Sequence, residues 1–215
     1  LRRSTRAITT TAAAVGLAAG AWAWARGTRA TAAERHGPLP GDDLVPAPDW
    51  QATRGVTLRV PPEVVWPWLV QMGYPTHRAG WYTPFWLDRL LFGIRAHSAE
   101  VIVPEYQSLA VGDGGADSPE GNSYFVAARV DPPDALVLHS HTHPLPLYRD
   151  TNFSWAFVCH RRGAGTRLLM RARIAYTPVW PAPLVRACIV SGFGIGDVLQ
   201  AGGMLLGIRR RAEGS

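Results

Sequence analysis

The chain has 215 residues, enough for one domain burying roughly 70% of its unfolded surface and too few for a comfortable second one. Apolar residues make up 47% and charged residues 18%, a globular balance that excludes general disorder. The net charge of +6 is carried by arginine alone, and over residues 36–208 thirteen arginines face fourteen acids. The basic excess therefore lies at the two ends, where it meets lipid phosphates more naturally than a nucleic-acid groove, and no basic patch interleaved with aromatics occurs.

Arg2, Arg3 and Arg6 precede nineteen uncharged residues, Ala7 to Ala25. A helix of that length rises about 28 Å, near the thickness of a bilayer core. Trp22 and Trp24 suit the membrane interface. Residues 1–35 are thus expected to be a membrane anchor or signal segment. Three readings stay open: a single span, a cleavable signal peptide with Ala30 to Ala32 as the small-residue site, and a plain helix. Arginines flank both sides, so the side of the membrane is undecided. Residues 36–49, with Pro38, Pro40, Pro46 and Pro48, read as an extended linker, and the domain is expected over 50–213.

Val56, Leu58 and Val60 alternate with polar neighbours, the period of a half-buried strand over Thr53 to Val60. Pro61 ends it, and Pro62 and Glu63 open a helix with Val64, Val65, Trp68 and Leu69 on its apolar face. A second short helix is predicted from Phe85 to Phe92, stopped by Gly93. The pattern then changes to strands, near Glu100 to Val103, Tyr124 to Val130, Leu136 to His141, Phe153 to His160 and Thr166 to Tyr176, joined at Arg161 to Gly165 by a hairpin turn. In the last strand Arg167, Arg171 and Arg173 alternate with apolar residues, which predicts one wet face. From Leu184 to Arg211 an apolar, glycine-rich stretch is expected to be a helix packed closely across the sheet. This is an α+β order with an antiparallel sheet. Cys159 and Cys188 read as two small buried thiols.

The residues also carry a resemblance. The segments PPEVVWPWLVQMG (Pro61 to Gly73), AGWY (Ala79 to Tyr82), FWLDRL (Phe85 to Leu90), IVPEYQSLAVGD (Ile102 to Asp113) and MLLGIRRRAE (Met204 to Glu213) resemble the START and polyketide-cyclase-like superfamily, often labelled SRPBCC. They look in particular like a membrane-tethered bacterial branch of it. The resemblance implies a helix-grip fold, an antiparallel sheet wrapped round a long C-terminal helix, enclosing an apolar cavity for a lipid, polyketide or other hydrophobic molecule. Activity does not follow from such a fold.

Under that resemblance the cavity wall is expected from Trp68, Gln71, Trp81 and Tyr82, together with Trp86, Tyr124 and Trp155. Asp88 and Glu105 are candidate polar anchors or acids, since a carboxyl in an apolar pocket has its pKa raised. The competing reading is that the rings only fill the core and that the two acids pair with Arg78, Arg89 or Arg95. His139, His141 and His143 alternate as a short metal-binding array would, but no nearby acid or cysteine completes a site and no metal is expected. There is no GxSxG elbow. The first expectation is membrane-tethered binding of a hydrophobic small molecule or lipid, needing no cofactor. The others are a cyclase or dehydratase acting on an aromatic or polyketide substrate, and an accessory protein without a ligand.

Overall fold

The computed structural model describes residues 25–143, 148–178 and 182–214. The expected apolar segment lies outside the described residues up to residue 24. Among the described residues, no helix is long and apolar enough to cross a membrane.

The alternation of Val56 and Leu58 with polar neighbours places them in β1 (Trp50–Leu58). This strand starts one edge of a six-stranded antiparallel sheet in the order β1-β6-β5-β4-β3-β2. The others are β2 (Gly114–Ala116), β3 (Tyr124–Asp131), β4 (Ala135–Ser140), β5 (Tyr148–Arg162) and β6 (Gly165–Pro178). The β5–β6 hairpin closes where expected, with Arg162 opposite Gly165; Gly163, at φ 58°, takes the left-handed position of the turn. Among the described residues the helices named are α1 (Ala32–His36), α2 (Pro62–Val70), α3 (Phe85–Phe92) and α4 (Ala182–Gly214).

One expected strand is absent. Glu100 to Val103 runs irregularly into a single 3-10 turn at Pro104–Tyr106, because a side chain takes the place of a neighbouring strand. The Gln71 amide donates to the Val101 carbonyl at 3.2 Å and accepts from the Val103 N–H at 2.9 Å.

The concave face carries Val56, Leu58, Leu136, Leu138, Trp155, Phe157, Leu168 and Met170. It receives α4 through Ala201, Met204, Leu205 and Ile208. Glycine lets the helix approach: a Cβ on Gly207 would stand 2.0 Å from the Tyr82 carbonyl oxygen. A part-buried ion pair, Arg54 Nε to Asp197 Oδ2 at 2.6 Å, ties α4 to β1.

The convex face corrects two expectations. Residues 36–49 are not an extended spacer, and the β6 arginines do not face water. Chain from Arg29 to Pro46 lies across the back of the sheet, with Leu39 against Ala135, Val158 and Leu169. Arg171 is 2% exposed. Its guanidinium donates to the carbonyls of Glu34, Arg35 and Gly37 at 2.7, 3.1 and 2.9 Å, to Asp42 Oδ2 at 2.6 Å and to Thr53 Oγ1 at 3.0 Å. Arg173 reaches the Val45 and Pro46 carbonyls and stands 3.1 Å from Asp42 Oδ1, a charge contact without hydrogen-bond geometry. Arg167 grips both oxygens of Glu34 at 2.9 Å. Glu34 also closes a capping box on Thr31 at the start of α1. The Arg167 bonds outweigh partial burial and hold the Glu34 carboxyl down at about 2.

Replacing Arg171 leaves helix-end carbonyls and Asp42 without their buried donor. Arg171→Met is expected to cost about 3–5 kcal/mol in denaturant unfolding. Arg171→Lys should not restore the loss, because one ammonium cannot span five acceptors. A change within about 0.5 kcal/mol for the Met variant would show that the segment contributes little.

Candidate functional site

The sequence-named residues separate into two groups. Trp81 and Trp155 pack together on the concave face, with ring centroids 5.2 Å apart. Phe125 and Phe157 lie 5.7 and 5.3 Å from Trp155. Trp68 meets Tyr82 edge-on at 5.8 Å, and the Tyr82 hydroxyl donates to the Trp68 carbonyl. Gln71 is fully buried, and its oxygen also accepts from the Gln107 side chain, so its amide braces the 101–107 segment against the end of α2. Asp88 is buried and accepts from the Thr83 hydroxyl. The second group, Trp86, Glu105 and Tyr124, is exposed on the surface.

Where Trp81, Phe125 and Leu138 meet Leu69 and Met72, the interior void is about 20 Å³, room for roughly one water molecule. Among the described residues, the rings of Trp81, Phe125 and Trp155 pack against one another at this place.

Open volume lies beside it, along the C-terminal half of α4. A cleft of about 400 Å³ is lined by Tyr82, Thr83, Pro84 and Phe85, by His97, Ser98 and Glu100, and by Gly203, Leu206, Gly207, Arg210 and Arg211 of α4. A second, of about 430 Å³, shares Glu100, Arg210 and Arg211 and adds Trp68, Val101, Ile102 and Gly214. Both volumes fall in the range of small-molecule sites, roughly 300–1,000 Å³.

Local backbone builds this cleft. Tyr82 sits at φ 61°, a left-handed position uncommon for a residue with a side chain. Its N–H donates to Ser98 Oγ, and Gly207 packs on its carbonyl. The turn aims Phe85 into the opening, where it stacks on His97 at 3.8 Å. At the other end Glu100 Oε1 accepts from Arg210 at 2.8 Å and from Arg211 at 2.6 Å. The Arg211 guanidinium lies 4.8 Å from the Tyr82 ring centre, a cation–π arrangement, and burial pushes its pKa down. One wall is therefore apolar, and the far end holds two guanidinium groups sharing one carboxylate.

Sequence reasoning named Tyr82 and Trp68 here but passed over Phe85, His97, Leu206, Arg210 and Arg211. The available signal was Gly203 and Gly207, one helical turn apart beside three successive arginines. Among the described residues, no ion pair of Asp88 or Glu105 with Arg78, Arg89 or Arg95 is formed. Asp88 bonds to Thr83, and Arg78 donates instead to the Met72, Val70 and Tyr106 carbonyls.

The histidines do not form one row. β4 ends at Ser140, and His143 turns to Asp117 and Ser140 at 2.9 and 2.7 Å, while His139 lies 2.7 Å from Asn152 Oδ1. Cys159 is a buried free thiol whose pKa burial pushes up to about 12.

No protein-family model and no curated protein matches the chain. Among solved structures it is similar to protein MLL2253 from Mesorhizobium loti, with 15% identity and a TM-score of 0.41 over 77% of this chain and 98% of that one. It is similar also to CalU16 from Micromonospora echinospora, with 14% identity and a TM-score of 0.34 over 76% of this chain and 84% of that one. A third is Ara h 8.0201, with 13% identity and a TM-score of 0.42 over 77% and 99%. These likenesses concern the course of the chain and carry no argument about activity. The chain's own element order, sheet and terminal helix are those of the helix-grip fold that the motif resemblance implied.

Burial raises the pKa of Asp88, against the lowering effect of its bond from Thr83. The sign follows: below about pH 4 both folded and unfolded forms are protonated, and above it the unfolded form ionises first, so stability falls as pH rises until the folded group also ionises. Asp88→Asn should flatten this fall and be at least as stable at neutral pH, measured as Tm against pH. An unchanged slope would remove Asp88 as its source.

Proposed function

We propose that this chain is a membrane-tethered helix-grip domain that binds a hydrophobic small molecule or lipid bearing an acidic or strongly polar end. The observation that supports it is the cleft of about 400 Å³ between Phe85, Leu206 and the Arg210–Arg211 pair. An apolar body placed against Pro84, Phe85 and Leu206 leaves water, at about 25 cal/mol per Å² buried. Its polar end meets Arg210, which is largely exposed and shares Glu100 with Arg211. Tyr82 forms the floor, Trp68 lines the neighbouring cleft, and Trp81 and Trp155 act behind them as packing. No cofactor is needed. In this reading Ala7 to Ala25 holds the domain beside the bilayer from which such molecules come.

A titration with 8-anilinonaphthalene-1-sulfonate, an aromatic body with an anionic end, tests the site. Saturable binding near one per chain is expected. Phe85→Ala or Leu206→Ala should weaken it about tenfold, the equivalent of roughly 1.4 kcal/mol, while Trp155→Ala lowers Tm and leaves affinity within about twofold. The opposite pattern, with affinity lost through Trp155 alone, would place the guest among the interior rings and overturn the cleft.

One observation favours the second reading, a cyclase or dehydratase. Asp88, a buried carboxyl of raised pKa, is bonded to Thr83, which lines the cleft. That places a buried carboxyl, a candidate for acid–base chemistry, one hydroxyl away from the guest. Under this reading, mass spectrometry of a hydroxylated polyketide mimic incubated with the protein should show loss of one water, and Asp88→Asn should stop the loss.

A further inference from the structure

The large apolar side chains strongly exposed among the described residues include Trp86 and Leu90, at 50% and 72%. Both belong to α3, four positions apart, and so share one face of the helix. Arg89, three positions past Trp86, borders that face on the other side of Trp86 from Leu90 and is exposed, and Arg95 is exposed two residues past the Gly93 that ends the helix. Leu87 and Asp88 point the other way, into the protein. The outward face of α3 thus presents an indole, a leucyl chain and a guanidinium, with a second guanidinium beside it.

These charges are not spent within the fold. Among the described residues neither Arg89 nor Arg95 forms an ion pair, whereas Arg210 and Arg211 share Glu100, Arg54 holds Asp197 and Arg167 holds Glu34. The one acid on α3, Asp88, is buried against Thr83. Two uncommitted cations flanking exposed apolar side chains contrast with a central region, residues 36–208, in which acids slightly outnumber arginines.

We propose that the outward face of α3 docks on an anionic bilayer surface. Trp86 sits at the headgroup level, Leu90 enters the acyl boundary, and Arg89 and Arg95 meet lipid phosphates. Charge decides the occupant. A second copy of this face would set Arg89 and Arg95 against their own kind, and a nucleic-acid backbone would leave Leu90 in water. The docking rests on α3 alone and holds whether or not the cleft beside Phe85 takes a ligand.

The test uses the full chain, so attachment through other segments must be separated from attachment through α3. An environment-sensitive nitrobenzoxadiazole label is placed at Leu90→Cys, in a background carrying Cys159→Ala and Cys188→Ala, and a control label at His160→Cys, exposed near the β5–β6 turn. Vesicles of phosphatidylcholine with about one third phosphatidylglycerol should shift the label at 90 to the blue and brighten it several-fold, with no change at 160 and little response to phosphatidylcholine alone. Arg89→Ala with Arg95→Ala should weaken partitioning about 25-fold, roughly fivefold for each cation. A label at 90 that stays in water while the chain sediments with the vesicles overturns the proposal. So does an equal shift without vesicles at raised protein concentration, which would mark the face as a contact between copies.

Discussion

The architecture depends on three arginines of β6 that hold residues 29–46 against the back of the sheet. Arg167, Arg171 and Arg173 supply planar donor sets, and the returning chain supplies the acceptors: Glu34, Asp42 and the carbonyls of Arg29, Glu34, Arg35, Gly37, Val45 and Pro46. Two of these carbonyls, those of Glu34 and Arg35, belong to the last turn of α1, where helix geometry leaves them without an internal partner. Burying a guanidinium costs several kcal/mol unless its donors are satisfied in good geometry, and here five acceptors surround Arg171. A chain without a single lysine is consistent with this device, since only a fork of fixed geometry serves so many acceptors at once.

That back layer has consequences on the other side. With the convex face covered, Ala135, Leu136, Val137 and Leu138 of β4 are all buried, and the concave face is left to α4 and the aromatic rings. Rings 5–6 Å apart fill the interior around Trp81 and Trp155. Among the described residues, open space lies where α4 carries Gly203 and Gly207. Glycine brings the Tyr82 turn onto the helix, and the side chains that follow, Arg210 and Arg211, are held by Glu100 in place of filling the gap. The cleft is a product of that change from small to charged residues along one helix face.

Two carboxyls illustrate how position decides chemistry. Glu34 accepts two bonds from Arg167 and stays ionised to low pH, while Asp88, buried with only a hydroxyl donor, is biased towards its protonated form. The first is a structural clamp. The second is the only one of the two set beside open volume, through Thr83, which is why the binding and catalytic readings both converge on the Tyr82–Phe85 turn.

Local signals determined much of this protein. Strand periodicity, the proline at the start of α2, the glycine after α3 and the turn before β6 placed most elements in the sequence, because each depends on neighbours within a few residues. The motif segments likewise pointed to the helix-grip arrangement. Tertiary structure alone decided which faces are wet. An arginine alternating along a strand reads as solvent-facing until a segment some 130 residues away supplies its acceptors, and a proline-rich stretch reads as a spacer until it finds a sheet to cover. For the same reason Trp81 and Trp155 could be named from sequence as rings at an interior surface, but whether they border a hollow or close it depends on distances between strands, which composition does not contain.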